Sequence, residues 1–546
     1  MPGQLLEGIQ IAETPNAEQP IARTRAQLTA FVGRTLRGPV DTPVIIRSFA
    51  DFQQIFGGLW QPSPLSYAVE HFFEQGGRHA VIVRVVNSAA PATLSLRCER
   101  EALVLEALAP GTREFLRASV DYDHVELHDQ QRFNLVVQRV RAPGSERIEE
   151  QEIFRGLSVD PDAERFVAAA LLESKMVRVR RPVPATRPSP TLMPGTNLPV
   201  GYVSSNPDGH DGRPLSDYDI IGSATRRTGL HALAGMKNLA FVYIPPLSRT
   251  VEIGISTMMI AAKFCREHHA LLIVDPPVNW DAPATAIQGL KSLNFYSDNA
   301  LMFYPRILCT DRLRGRGEVF GNGGAVAGLL SRLDDSVAIA ATPEPEPLLR
   351  AGARLARDIN AADRSRLATA GINVLQTVRS VERDRPALRT LACGASASAD
   401  WAYLTPRRFA LYVISAIERG TRWAVTMPND HLMQQRLDRQ IREFLEDLRA
   451  AGAFASVPAR EAYAVICDER INDAEERGTV NILIQLAANH AGEYHSFMIT
   501  HTLRDSLVRP VVINRLESSF LAYNALEREI TIKLQVEEQL ARVFAD

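Results

Sequence analysis

The chain has no excess of either charge: 61 lysine and arginine residues stand against 63 aspartate and glutamate, a net charge of −2 over 546 residues. Neutralising a phosphate backbone takes a basic surplus or a concentrated basic stripe, so direct nucleic-acid binding is not expected. The same balance leaves little long-range repulsion between copies and permits dense self-association. Cysteine is scarce and scattered, at Cys98, Cys265, Cys309, Cys393 and Cys467. No two of these have C-x-x-C spacing and their number is odd, so neither a zinc ribbon nor a disulfide framework is indicated, and reduced, buried thiols are expected. No run approaches the about 18 apolar residues of a membrane-spanning helix, so membrane insertion is not expected. The opening MPGQLLEGIQIAETPN lacks a basic segment followed by an apolar one, so a secretory leader is not expected and the chain is expected to fold in the cytoplasm. A repeat with a period of about 20–50 residues is also missing, which argues against a solenoid.

What is present describes a soluble globular protein, with 46% hydrophobic and 23% charged residues. The length exceeds one ordinary core and predicts about two to four domains. Residues 1–20 read as an arm, in which Ile9 and Ile11 alternate with Gln10 and Ala12 between Pro2, Pro15 and Pro20. So short a strand cannot bury an apolar face alone and needs a sheet supplied from elsewhere. Over 21–92 the pattern is α/β. Strands are predicted at LTAFVG (28–33), PVIIRSF (43–49) and HAVIVRVV (79–86). Helices are predicted at SFADFQQIFGG (48–58) and PLSYAVEHFFEQGG (64–77), opened by serine or proline and closed by paired glycines.

Residues 93–199 differ in texture. Short alternating segments, ATLSLRC (92–98), HVELH (124–128) and FNLVVQRV (133–140), predict an inserted, mainly β domain. RRPVPATRPSPTLMPG (180–195) predicts a proline-rich linker. From 200 to 375 the α/β core resumes, with LAFVYIPP (239–246) and ALLIVDPP (270–277) flanking the helical ISTMMIAAKFCREHH (255–269). That strand–helix–strand order predicts a parallel sheet with both faces covered. A final α+β domain over 376–502 carries helices at TPRRFALYVISAIERGT (405–421) and NDHLMQQRLDRQIREFLEDLRAAG (429–452), then the strand TVNILIQLA (479–487). In the second helix Met433, Leu437, Ile441, Phe444, Leu445 and Leu448 form one apolar stripe, with Asp430 as N-cap and Gly452 as stop.

The segment 503–546 reads as a C-terminal extension or arm. Within it EITIKLQVE (529–537) alternates strictly, placing Ile530, Ile532, Leu534 and Val536 on one face with no hairpin partner beside them. HSFMIT (495–500) is the other candidate for a terminal arm strand. The expected fold class is therefore α/β multidomain: a parallel-containing core, an inserted mainly β domain, an α+β C-terminal domain, and extended strand arms at both ends.

Three groupings invite a chemical reading. GNGGAVAG (321–328) has the texture of a phosphate loop but lacks the Lys-Ser/Thr of one, so a packing loop is expected. Cys265, His268 and His269 form C-x-x-H-H on a helix, where Cys265 and His269 share a face, yet no second ligand cluster stands near and ordinary side chains at a helix end are expected. Asp275 lies at the carboxyl end of a strand, where α/β enzymes place catalytic groups, but no G-x-S-x-G or other nucleophile motif accompanies it. No catalytic residue, metal or cofactor is expected.

TAFVGRTLRGPVDTPVIIRSFADFQQIFGG (29–58) and LSYAVEHFFEQGGRHAVIVRVV (65–86) resemble the opening of contractile tail sheath proteins. That family shows an AFVG strand, an RGP turn, a short F-x-x-x-F-G helix and A-V-x-x-F-F-x-N-G-G before a V-x-R-V strand; here Gln75 stands where asparagine is usual. FRGLSVDPDAERFV (154–167), SDNALMFYPR (297–306), VFGNGGAVAGLLSRLD (319–334), GINVLQT (371–377), TRWAVTMPND and REFLEDLRAAGAF (442–454) follow in order, over roughly residues 5–500. The inserted domain has little such match, and the tail after 502 is longer than in many members.

The resemblance implies a structural protein of a phage tail or related injection particle, assembled in the bacterial cytoplasm. Its copies would stack as hexameric rings in a helix around an inner tube protein, lend terminal strands to neighbours' sheets, and contract to drive the tube through a cell envelope. Baseplate and tail terminator or cap proteins are the further partners implied. By the same resemblance the tube-facing surface lies on the final domain, where Arg439, Arg442 and Arg449 form a stripe expected to dock on acidic tube residues. The alternative for that stripe is a solvated helix face with Glu446 among the arginines. Competing readings of the whole chain are a sheath-related baseplate or cap protein, and an α/β hydrolase or nucleotide-binding enzyme whose terminal strands make a dimer.

Overall fold

The structure is a computed structural model that describes residues 20–22, 28–126, 129–198, 200–336, 348–350, 352–377, 386–395, 401–454, 458–472, 478–488 and 494–511. The chain divides into two compact units, one of Gln27–Leu333 with Pro347–Ala402, the other of Met1–Ala26, Asp334–Glu346 and Tyr403–Asp546.

The larger unit is organised by a seven-stranded sheet. Its strands run in the order Ile372–Val374, Ala300–Tyr304, Leu271–Val274, Leu239–Tyr243, Leu28–Gly33, Ala80–Arg84 and Val44–Ile46. Every neighbouring pair is parallel except the last. The sequence accounts for this: LTAFVG, AVIVR, LLIV and ALMFY are continuous runs buried at every position, as strands covered on both faces must be. The helices obey their capping residues. Ser48 accepts from the Asp51 amide to open Phe49–Phe56, and Gly57 closes it in the left-handed region at φ 89°. Ser63 opens Pro64–Glu74 with proline in the first turn.

Residues from Pro91 onward leave this sheet for two smaller antiparallel ones. Pro91–Arg97, Ala102–Pro110 and Val177–Val179 make one; Val203–Ser204, Leu116–Asp121, Arg132–Val140 and Ile148–Ser158 make the other. They enclose a core of their own, with Leu94, Leu105, Val120, Phe133, Leu135 and Leu157 at its centre. Buried Arg84 joins core and insertion, donating to the carbonyl oxygens of Gly38 at 2.7 Å and Pro110 at 2.6 Å.

Two local expectations are corrected in this region. HVELH is not a strand over its described residues: His124 takes φ 61° and the Asp123 amide donates to Asp121 Oδ1, which turns the chain, while 127–128 lie outside the described residues. The proline-rich stretch is not a free spacer either. Ser189 donates to the Arg97 carbonyl, Thr191 to that of Val120, and the Arg187 guanidinium sits 3.7 Å over the Tyr122 ring, so the segment is laid along the β sheets.

The smaller unit pairs two long helices, Leu404–Thr421 and His431–Ala450, with a four-stranded antiparallel sheet ordered Tyr463–Ile466, Thr479–Leu486, His495–Thr502 and Ser506–Val511. Asp430 Oδ1 accepts from the Met433 amide at 2.8 Å and starts the second helix. Met433, Leu437, Ile441, Phe444 and Leu445 are buried, and Leu448 is half-buried at the stripe's end. No described helix is long and apolar enough to cross a membrane.

Candidate functional site

In an open parallel sheet the crevice beyond the carboxyl ends, where the strand order reverses, is where α/β enzymes hold ligands. Here the reversal lies between Leu28–Gly33 and Leu239–Tyr243, and a cavity of about 750 Å³ opens beside it, lined by Tyr67, His71, Tyr243, Arg249, Arg316 and Glu318 among others. Its guanidinium groups already have carboxylates. Arg249 meets Asp311 at 2.9 Å and also pairs with Glu318; Arg314 and Arg316 meet Glu318 at 2.8 and 2.9 Å, and Arg306 meets Glu252 at 2.6 Å.

Asp275 is buried at this edge and is fully engaged. It accepts from the Tyr243 hydroxyl at 2.5 Å and from the Gly323 amide at 2.7 Å. Burial pushes its carboxyl above the ordinary range, and burial followed by the Asp275 charge pushes the Tyr243 hydroxyl well above its own. Gly323 is the first residue of the helix Gly323–Ser336, so Asp275 serves as the anion at that helix's N-terminus, the place a phosphate would take in a phosphate loop.

The glycines of 321–328 each admit a neighbour. A Cβ on Gly321 would overlap the Asp275 carboxylate, one on Gly323 the Tyr243 ring, and those on Gly324 and Gly328 the carbonyl oxygens of Ala68 and Phe72 in Pro64–Glu74. The loop is a packing device, as expected from the missing Lys-Ser/Thr. Asp275→Ala is expected to lower the unfolding free energy by about 2–4 kcal/mol, since two buried donors lose their acceptor. Urea titration checks this, and an unchanged midpoint would remove the capping role.

The C-x-x-H-H group does not converge. Cys265 is buried with burial raising its thiol, and the His268 ring stacks on Phe264 at 4.0 Å with Nδ1 2.9 Å from the Phe264 carbonyl. Among the described residues no cluster of three or more His, Cys, Asp or Glu side chains is arranged to hold a metal.

In the smaller unit, Arg439 and Arg442 are exposed and Arg449 is half-buried. Arg442 donates to Asp438 at 2.7 Å and to the Val465 carbonyl at 2.9 Å; Arg449 pairs with Glu446 at 2.5 Å, on a carboxylate that also takes the Tyr463 hydroxyl at 3.3 Å. Arg442 and Arg449 therefore bear on the edge strand Tyr463–Ile466, a placement that helical spacing alone does not reveal.

At the opposite sheet edge, Ser506–Val511 is only partly buried, and Pro510 withholds one amide, as suits an edge strand. Buried His501 fastens it, with Nδ1 2.7 Å from Ser506 Oγ and Nε2 2.8 Å from Thr421 Oγ1. Thr421 gives its own proton to the Ile417 carbonyl at 2.6 Å, so Nε2 is the donor and Nδ1 accepts from Ser506. Burial holds this imidazole down at about 4, keeping it neutral. Near the other chain end Ile21 is 5% exposed and its side chain fills the space above Gly420 in Leu404–Thr421. Ile9, Ile11, Ile530, Ile532, Leu534 and Val536 lie outside the described residues.

No protein-family model and no curated protein matches this chain. Solved structures do. A sheath tail protein from Listeria innocua is similar over 89% of this chain and 97% of its own, with a TM-score of 0.59 and 13% identity. This chain has the tail sheath fold. A second sheath tail protein, from Desulfitobacterium hafniense, covers 90% of this chain and 100% of its own length at a TM-score of 0.51 and 12% identity.

Proposed function

We propose that the chain is the subunit of a contractile sheath, a structural protein that polymerises as stacked hexameric rings around an inner tube and contracts to drive that tube through a target envelope. The observation that carries the reading is the whole-length likeness to a sheath tail protein, 97% of which is matched. Local features support it. The smaller unit has a sheet whose edge strand Ser506–Val511 is half-exposed, and unpaired backbone at such an edge is what an added strand takes up. Strand-patterned text at 9–11 and 529–537 is of the kind that needs a sheet from another copy. On this reading the arms are 1–20 and the part of the extension 503–546 beyond Ser506–Val511, which is a strand of the chain's own sheet; the core is 21–92 with 200–375, the outer insertion is 93–199, and the tube-facing domain is 376–502.

Contraction would be a rigid-body change between two packings, with the mesh of shared strands keeping the copies joined. Arg439, Arg442 and Arg449 would face acidic residues of the tube. Arg442 and Arg449 would exchange Asp438 and Glu446 for them, a substitution that is cheap because ion pairs this open to water contribute little. Baseplate and cap proteins would close the two ends of the polymer in an injection particle.

Electron microscopy of the purified chain, alone and coexpressed with a tube protein, tests the proposal. Striated cylinders are the expected result. Single rings that never elongate would point to a baseplate or cap protein, and a compact dimer with hydrolytic activity would overturn the structural reading.

A further inference from the structure

Where the helix Pro64–Glu74 meets the hairpin of residues 307–320, the carboxylates of Glu70 and Glu74 share Arg312, with the Asp311 carboxylate close by on Arg249. Glu70 of the helix is 4% exposed, and its Oε1 lies 3.1 Å from Arg312 Nη1 without an aligned hydrogen bond. Glu74, one turn on, takes Arg312 Nη2 at 2.7 Å. Asp311 accepts from the Tyr67 hydroxyl at 3.1 Å and pairs with Arg249 from the segment after Leu239–Tyr243. The Arg312 side chain is 62% exposed, so its charge is spent largely on water and compensates Glu70 poorly. His71 and Phe320 close the contact, their rings edge to face at 5.2 Å, with Tyr67 stacked on Phe320 at 5.0 Å. The groups bearing on Glu70 are thus Tyr67, His71 and Glu74 from its own helix, Cys309, Asp311 and Arg312 from the hairpin, and Arg249 from the loop.

An ionised carboxylate with a dehydrated, unbonded oxygen and two like charges beside it is costly. We infer that Glu70 is an acid-responsive seat for the hairpin of residues 307–320: on taking up a proton it lets the hairpin pack more firmly on the helix, and on losing that proton it loosens the seat. Burial raises this carboxyl most, Arg312 draws it back, Glu74 and Asp311 add to the rise, and the outcome is about 7. With the hairpin lifted, Glu70 returns to water and its ordinary value of 4.5. The closed state therefore binds the proton more tightly, so closure gains as pH falls from 7 towards 4.5 and loses as pH rises through 7. Tyr67 and Cys309, pushed up to about 12, and His71, held down at about 4, stay neutral throughout. The inference does not rest on the sheath reading.

Hydrogen exchange of peptides covering 307–320 in the full chain tests it, after correction for intrinsic rates. Opening is expected to be about tenfold less frequent at pH 6 than at pH 8. Glu70→Gln should show the infrequent opening at both values, while Glu74→Gln, which removes a like charge, should keep a response that moves to lower pH. Equal opening of the unaltered chain at the two values, or a full response in Glu70→Gln, would overturn the inference. Should Glu70→Gln fail to fold, Arg312→Gln decides: with its counter-ion gone the response must move to higher pH, and a response that stays in place counts against Glu70.

Discussion

Gly328→Val is expected to lower the unfolding free energy by about 3 kcal/mol or more, towards the upper end of what overpacking causes. Gly324 and Gly328 lie one turn apart on the helix Gly323–Ser336, and both bring its backbone against that of Pro64–Glu74. A Cβ at Gly328 would fall on the Phe72 carbonyl oxygen, which is main chain and cannot swing aside as a side-chain tip would. Phe72 is itself fully buried and packs edge to face on Phe31 of the central strand at 5.4 Å, so the helix has nowhere to retreat. Urea unfolding followed by circular dichroism measures the loss. Gly315→Ala is the control, since Gly315 sits in the hairpin turn with open space around it; its φ of 68° makes a smaller cost expected, about 1 kcal/mol. If the two variants unfold at the same midpoint, close helix approach is not what these glycines provide.

Deleting residues 1–20 is expected to leave a folded, monomeric chain and to abolish tubes altogether. Ile21, which is buried against Leu404–Thr421, remains in the deletion and keeps that helix covered. The removed segment carries Ile9 and Ile11 in a pattern too short to bury a face by itself, so its loss should cost the single chain little. Its loss from every copy, by contrast, would remove one backbone-bonded link per subunit from the proposed mesh. Analytical ultracentrifugation with electron microscopy reads both outcomes. Tubes of ordinary length from the deleted chain would refute the arm assignment, and an unfolded product would show that the segment belongs to its own molecule's core.

Much of the fold is legible in the sequence because its strongest signals are local and redundant. The fully apolar runs around 28–33, 80–84, 271–274 and 300–304 must be covered on both faces, and helices between them leave a parallel sheet as the simple solution. Capping is equally local: Ser48 and Asp430 open helices as spacing predicts, and Pro64 starts another. The failures have a common cause. HVELH alternates like a strand, but the Asp121 carboxylate captures the Asp123 amide and turns the chain. The proline-rich segment looks like a spacer because proline excludes regular structure, yet hydrogen bonds from Ser189 and Thr191 lay it on the sheets.

The sites show the same division. Missing motif residues suffice to read 321–328 as a packing loop, since phosphate chemistry needs groups that are not there. What the glycines pack against is invisible without the fold, because Asp275 and Gly323 are separated by 48 residues in the chain and by one hydrogen bond in space. Likewise helical periodicity places Arg442 and Arg449 on one stripe, but Val465 and Tyr463 come to them only through the sheet.

From its own text, then, this protein's chain determined its element types, its buried strands, its caps and the sheath resemblance, all of which depend on neighbours within a few turns. The tertiary structure alone decided that Asp275 caps a distant helix, that His501 fastens an edge strand, and that Glu70 shares a crowded seat with Glu74, Asp311 and Arg312. Desolvation and charge proximity depend on three-dimensional distance, and sequence separation carries no record of it.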